Sequence, residues 1–139
     1  MAKYMAYVGS YSYTGKAKGI TVFDVDVEKG VFIERCEVEV NNSSYVIASR
    51  DGKTLYSIAD EGVVAFRILE NGSLSRLNSA TINRLRGCHL ATEPEGKYLF
   101  VSGFHDGKTT VMRLGKDGKV GAIADGVFNK GLGSVAERN

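Results

Sequence analysis

The sequence of 139 residues has few of the residues that interrupt or cross-link a chain: one proline, two cysteines, two histidines and no tryptophan. Cys36 and Cys88 form no CxxC pair, so we expect reduced thiols and no zinc site of familiar spacing. No apolar stretch approaches the roughly 20 residues that span a bilayer. The first residues carry no signal-peptide pattern. We therefore expect a cytoplasmic protein with no membrane segment.

The charges are nearly balanced, because 18 Lys and Arg residues face 16 Asp and Glu residues, for a net charge of +2. Nucleic-acid binding needs a concentrated basic face, so no nucleic-acid partner is expected. Gly52-Lys53-Thr54 and Gly107-Lys108-Thr109 copy the end of a phosphate-binding P-loop, but both precede predicted strands instead of helices. No GxSxG nucleophile elbow is present. We expect no cofactor and no metal.

Glycine, in contrast, is abundant, with 17 residues. A phrase of acid, glycine, lysine, any residue, leucine and aromatic occurs at residues 51–56 and again at residues 95–100. Glycine supplies the positive φ that a tight turn requires, and the apolar run after it has strand composition. A period in the forties built from turn-plus-strand units is typical of a β-propeller.

Alternation of apolar and polar residues predicts eleven strands and no helix. The predicted strands are residues 4–11, 20–27, 31–40, 45–48, 55–59, 63–69, 74–82, 88–91, 98–102, 109–114 and 120–128. Asn71-Gly72 is a strong hairpin turn within this series.

These strands predict an all-β fold of about three four-stranded antiparallel meanders, each one propeller blade. Blade 1 covers about 3–40 and lacks its inner strand, blade 2 about 44–83 and blade 3 about 87–128. A tail, 129–139, leads toward a further blade. Because closed propellers have about four to eight blades, residues 1–139 are expected to form an incomplete ring, a fragment of a larger propeller.

Several segments resemble, in order, the opening part of a known family. They are residues 7–11 (YVGSY), 42–45 (NSSY), 62–68 (GVVAFRI), 87–90 (GCHL), 96–101 (GKYLFV) and 133–138 (GSVAER). The family is the lactonase-type seven-bladed β-propeller, which includes 6-phosphogluconolactonases and carboxymuconate cyclase-like proteins. The resemblance covers the whole chain. It implies that the intact propeller hydrolyses a sugar lactone such as 6-phosphogluconolactone, and that this chain is an incomplete and inactive fragment.

Lactone hydrolysis needs a base that activates water and donors for the developing oxyanion, and a phosphorylated substrate also needs cations. The loops that enter the inner strands place such groups at one mouth of the ring. By resemblance, the acid/base candidates are His89 and Glu137, and the substrate-binding candidates are Arg86, Arg138, Tyr11 and Ser10. The residues also fit other roles: His89 a structural histidine, Arg86 a solvated charge, and Tyr11 packing between blades.

Two kinds of function therefore stay open: a lactonase, or a non-catalytic propeller scaffold that binds a small acid or a protein partner. An open stack of blades exposes an apolar face and an unpaired strand edge. The fragment is thus expected to self-associate or to pair with a complementary fragment.

Overall fold

The computed structural model describes residues 4–130, which form eleven β-strands and no helix. The strands are β1 (Tyr4–Gly9), β2 (Gly19–Asp26), β3 (Val31–Glu39), β4 (Val46–Ala48), β5 (Thr54–Ile58), β6 (Gly62–Ile68), β7 (Leu74–Thr81), β8 (His89–Thr92), β9 (Tyr98–Ser102), β10 (Lys108–Leu114) and β11 (Val120–Phe128). Each coincides with a predicted strand, with ends that differ by at most two residues.

The strands form three antiparallel sheets in chain order: β1-β2-β3, β4-β5-β6-β7 and β8-β9-β10-β11. Each sheet is a meander, which confirms the all-β fold class of propeller blades. Within residues 4–130, β1 pairs only with β2, so the first sheet has three strands. We call the sheets blades 1, 2 and 3.

The repeated phrase lies at the turns that begin the second strands of blades 2 and 3. Gly52 and Gly96 adopt φ values of 68° and 69°, and the space beside both is open. Glycine is therefore required there by backbone conformation and not by crowding. The Asp51 carboxylate accepts hydrogen bonds from Ser49 Oγ at 2.6 Å and from the backbone N–H of Lys53 at 3.0 Å.

Two apolar layers hold the blades together, one on each side of blade 2. On β5, Leu55 belongs to the cluster that blade 2 shares with blade 1, whereas Tyr56 and Ile58 belong to the cluster shared with blade 3. This alternation follows from the two-residue period of a strand. Every residue of β5 is buried, because blade 2 is covered on both faces.

Polar contacts add to the layer between blades 2 and 3. Tyr56 Oη donates to the carbonyl of Gly118 at 3.0 Å, and burial raises the pKa of the Tyr56 hydroxyl above its usual value. The Asn78 side chain donates to the carbonyl of Val120 at 2.8 Å and accepts from its backbone N–H at 3.0 Å. These bonds fix the register of one blade against the next.

The connections between strands divide into two sets at opposite ends of the blades. One set comprises residues 10–18, 40–45, 59–61, 82–88 and 103–107, and we call its side the mouth face. The other comprises residues 27–30, 49–53, 69–73, 93–97 and 115–119, and we call its side the corner face. The repeated phrase belongs to the corner face, and the loops that enter β4 and β8 belong to the mouth face.

Candidate functional site

Three mouth-face loops meet at Asn42, a buried residue with a left-handed φ of 55°. Its Oδ1 accepts the backbone N–H groups of Ser12 at 2.8 Å and Tyr13 at 3.1 Å. Its own backbone N–H donates to Ser12 Oγ at 3.0 Å. Its Nδ2 donates to both carboxylate oxygens of Asp60, each at 3.0 Å. Asn42 thus ties blade 1 to the β5–β6 loop of blade 2.

Arg86, in the loop that enters β8, extends this arrangement to blade 3. Its Nη1 donates to Asp60 Oδ1 at 2.9 Å, and its guanidinium carbon lies 4.9 Å from the centroid of the Tyr11 ring. Because Tyr11 is next to Ser12 in the chain, the contacts form a closed ring that runs from Ser12 through Asn42, Asp60 and Arg86 to Tyr11. We call Tyr11, Ser12, Asn42, Asp60 and Arg86 the mouth network.

The ion pair in the mouth network is partly exposed, with 31% of the Arg86 side chain and 44% of the Asp60 side chain accessible. Exposed pairs of this kind contribute only about 0–1 kcal/mol to stability. The main effect of the pair is on geometry, because Asp60 and the Tyr11 ring together restrict where the guanidinium points. A guanidinium has five N–H donors, so one bond to Asp60 leaves capacity for a carboxylate or phosphate.

Aromatic rings border the network. Tyr11 and Tyr13 are 48% and 76% exposed, and their rings meet edge to face with centroids 5.9 Å apart. His89 begins β8, is exposed, and places its ring 4.7 Å from the ring of Tyr45. Tyr45 itself packs on the apolar layer between blades 2 and 3. An exposed imidazole supported on one side is suited to proton transfer.

The other residues predicted from sequence divide into two groups. Ser10 directly follows β1, and both its Oγ, at 3.1 Å, and its backbone N–H, at 2.7 Å, donate to the carbonyl of Gly19. Glu137 and Arg138 lie outside the described residues. The structure thus brings Arg86 and Tyr11 into contact and sets His89 against Tyr45. The catalytic and binding roles themselves stay predictions.

Sequence reasoning did not single out Asn42 or Asp60 as site residues. Asn42 stood within a segment of the family resemblance, which was the one available signal. Asp60 lies between the predicted strands 55–59 and 63–69 and outside every segment of the resemblance. Their partnership joins positions 18 residues apart, and Asp60 and Arg86 are 26 residues apart. Such pairs become visible only once the blades are packed.

Residues 4–130 offer neither a cluster of metal ligands nor a membrane-spanning helix. No group of three or more His, Cys, Asp or Glu side chains in this range could hold a metal ion. None of these residues forms a helix long and apolar enough to cross a membrane. Cys36 and Cys88 are free thiols.

A groove of about 690 Å³ lies on the opposite, corner face, between blades 2 and 3. The turns at 49–53, 94–97 and 114–118 line it, so both copies of the repeated phrase border it. Hydrogen bonds from Ser49 and Lys53 hold the Asp51 carboxylate within its own turn and lower its pKa. Despite its volume, the groove is built from residues that shape the turns, and the candidate site stays on the mouth face.

Residues 5–139 match the family model described as "Lactonase, 7-bladed beta-propeller". The chain belongs to this family. The resemblance noted in the sequence is thereby confirmed over nearly its whole length.

Individual relatives agree with the family. The chain is 30% identical to the 6-phosphogluconolactonase of Bacillus subtilis (strain 168), a match that covers 96% of this chain and 40% of the relative. The crystal structure of a 6-phosphogluconolactonase candidate from Bacteroides fragilis NCTC 9343 superposes with a TM-score of 0.87 at 33% identity, over 98% of this chain and 39% of that one.

A second candidate of the same name, from Bacteroides uniformis ATCC 8492, has a TM-score of 0.88 at 24% identity, over 99% of this chain and 41% of that one. At that identity the likeness shows the fold alone. The chain spans about 40% of the length of these relatives.

Proposed function

We propose that the intact propeller hydrolyses a sugar lactone of the 6-phosphogluconolactone type at its mouth face. The observation that carries this proposal is an arginine, Arg86, oriented by Asp60 and Tyr11 in the same loop that leads to His89. The family relationship supports it, since the relative in Bacillus subtilis is a 6-phosphogluconolactonase.

In this proposal the substrate's anionic group binds Arg86 and Arg138, and Ser10 and Tyr11 border it. Forked guanidinium groups suit phosphate and carboxylate oxygens because they offer paired donors. The exposed rings of Tyr11 and Tyr13 are suited to packing against the apolar side of a sugar ring. No cofactor takes part.

His89 and Glu137 are the proposed acid/base pair. One of them accepts a proton from water, whose oxygen bonds to the lactone carbonyl carbon. The ring C–O bond then breaks, and the departing alkoxide receives a proton from the protonated member of the pair. The product is the open-chain sugar acid, and the pair returns to its starting protonation state.

A non-catalytic role is the second candidate, because the mouth network is complete without His89. Tyr11, Asn42, Asp60 and Arg86 hold one another, so they can present a cationic group to a small acid with no reaction following. In that case the propeller is a scaffold that binds an acid or a protein partner.

The test is hydrolysis of 6-phosphogluconolactone, measured by proton release. It is carried out with the 139-residue chain and with the protein that the complete reading frame encodes, which we call the encoded protein. His89→Ala and Glu137→Ala are expected to lower kcat by about 10²–10⁴-fold, the usual contribution of a positioned acid or base. His105→Ala is the matched control for loss of an imidazole elsewhere on the mouth face.

Absence of hydrolysis by the encoded protein would exclude the lactonase proposal and leave the scaffold. Hydrolysis that the two variants leave undiminished would show that the acid/base assignment is wrong.

A further inference from the structure

Arg86 would be a poor ligand for an anion if its long side chain were free. An unconstrained arginine side chain loses about 2 kcal/mol of rotamer entropy when it is fixed. In this structure Asp60 Oδ1 already holds Nη1 at 2.9 Å, and the Tyr11 ring lies against the guanidinium. The arginine is therefore oriented before any ligand arrives.

Asp60 is itself held in place. It lies in the exposed loop between β5 and β6, where a carboxylate has several rotamers available. Both of its oxygens accept from Asn42 Nδ2 at 3.0 Å, and its backbone N–H donates to the carbonyl of Asn41 at 3.2 Å. The buried amide of Asn42 thus sets the orientation of Arg86 indirectly, through Asp60.

We propose that Asp60 and Asn42 are positioning residues that orient Arg86 and thereby set the preference of the mouth face for phosphorylated over unphosphorylated sugar acids. This inference rests on the proposed function only for the identity of the ligand. Neither residue needs to touch the substrate. Both act through Arg86, whose remaining N–H groups are available to an anion.

Two effects of Asp60 on an anion oppose each other, and their balance makes the inference testable. Its carboxylate repels a phosphate, whereas its hold on Arg86 pre-orients the phosphate-binding group. Repulsion between exposed charges is screened when the Debye length falls to about 3 Å at 1 M salt. The Arg86–Asp60 bond is screened less, because its two atoms are only 2.9 Å apart, within the Debye length. At high salt, loss of Asp60 should therefore weaken phosphate binding.

The experiment is calorimetric titration of the encoded protein with 6-phosphogluconate and with gluconate in 1 M salt. We expect Asp60→Asn and Asn42→Gly each to lower the affinity for 6-phosphogluconate by at most about fivefold, because a partly exposed ion pair cannot bias the orientation of Arg86 by more than its own interaction energy. The affinity for gluconate should change little. Glycine at position 42 accommodates the left-handed backbone, so this variant removes the side-chain hydrogen bonds without adding backbone strain.

Two controls match these changes elsewhere. Asp24→Asn removes the carboxylate from the Asp24–Arg35 ion pair of blade 1, where Oδ1 and Nη2 are 2.6 Å apart. Asn83→Gly replaces the other left-handed asparagine, at φ 54°. Both control variants should keep the wild-type ratio of the affinity for 6-phosphogluconate to the affinity for gluconate. Arg86→Gln should lower the preference more than Asp60→Asn or Asn42→Gly does.

The outcomes separate the inference from the function. Wild-type protein without a preference for 6-phosphogluconate, an unchanged ratio in Asp60→Asn, or tighter phosphate binding in that variant would each overturn the inference. If the ratios behave as expected but no lactone is hydrolysed, the inference stands and the lactonase proposal fails. If lactone is hydrolysed and the ratios do not move, the reverse holds.

Discussion

Replacement of Asn42 by alanine should be more harmful than replacement by glycine, although alanine is usually the more stabilising residue. At φ 55° an L-residue other than asparagine or aspartate is strained by about 1–2 kcal/mol, whereas glycine is not. Glycine loses more unfolded-chain entropy on folding, by about 0.4–1 kcal/mol. The difference leaves Asn42→Ala about 1 kcal/mol less stable than Asn42→Gly.

Both variants also lose the side-chain hydrogen bonds. The amide of Asn42 accepts from the backbone of Ser12 and Tyr13 and donates to Asp60. Each half-buried N–H left without a partner costs about 1–3 kcal/mol, unless water replaces the amide. The loop is partly open to water, so about 2 kcal/mol in total is expected for Asn42→Gly and about 3 kcal/mol for Asn42→Ala.

Urea unfolding followed by circular dichroism measures both variants against the wild type, and Asn83→Gly is the control for a left-handed site without this network. The order wild type, then glycine, then alanine is the expected result. Equal stability of the two variants, or a more stable alanine variant, would refute the argument from backbone strain.

Four further predictions follow from the packing and the turns. Leu99→Ala, a fully buried site between blades 2 and 3, should lower the unfolding free energy by about 2–5 kcal/mol in urea titrations. Gly62→Ala should abolish stable folding in thermal melts, because a Cβ there would overlap the Ala80 carbonyl. Hydrogen bonds within its own turn lower the pKa of Asp51 in the folded state. The stability that the Asp51 carboxylate contributes is therefore present above its unfolded-state pKa and is lost as the pH falls through its folded-state pKa. Asp51→Asn should flatten the decrease of stability toward acid pH. The 139-residue chain should sediment as an oligomer, because β1 has an unpaired edge in the described residues and Phe128 of the outer strand is 51% exposed; a concentration-independent monomer in ultracentrifugation contradicts this.

The fold was predictable because its signals are local. Alternation along β2 and the turn at Asn71-Gly72 each need only a few neighbouring residues to be recognised. The 44-residue spacing of the repeated phrase then indicated the propeller. Strand ends differed by a residue or two, since the last residue of a strand is decided by hydrogen bonds to its neighbour.

The candidate site was predictable only in part, because its contacts are long-range. Arg86 and Tyr11 were named from the resemblance, but nothing in the sequence showed that their side chains meet. Asn42 and Asp60 were missed, since an asparagine before a strand and an aspartate in a turn each have a common local explanation. Their function as a tie between blades exists only after the blades pack.

The role of Arg86 is decided by the ratio of kcat/KM for 6-phosphogluconolactone to that for unphosphorylated gluconolactone, measured in the encoded protein and in Arg86→Lys. Lysine keeps the charge but lacks the forked donors and the flat face that lies on Tyr11. If Arg86 binds the phosphate through its forked donors, the wild type hydrolyses both lactones with a strong preference for the phosphorylated one, and the variant loses about tenfold or more of that preference. Hydrolysis with the same preference in both proteins would contradict this role of Arg86.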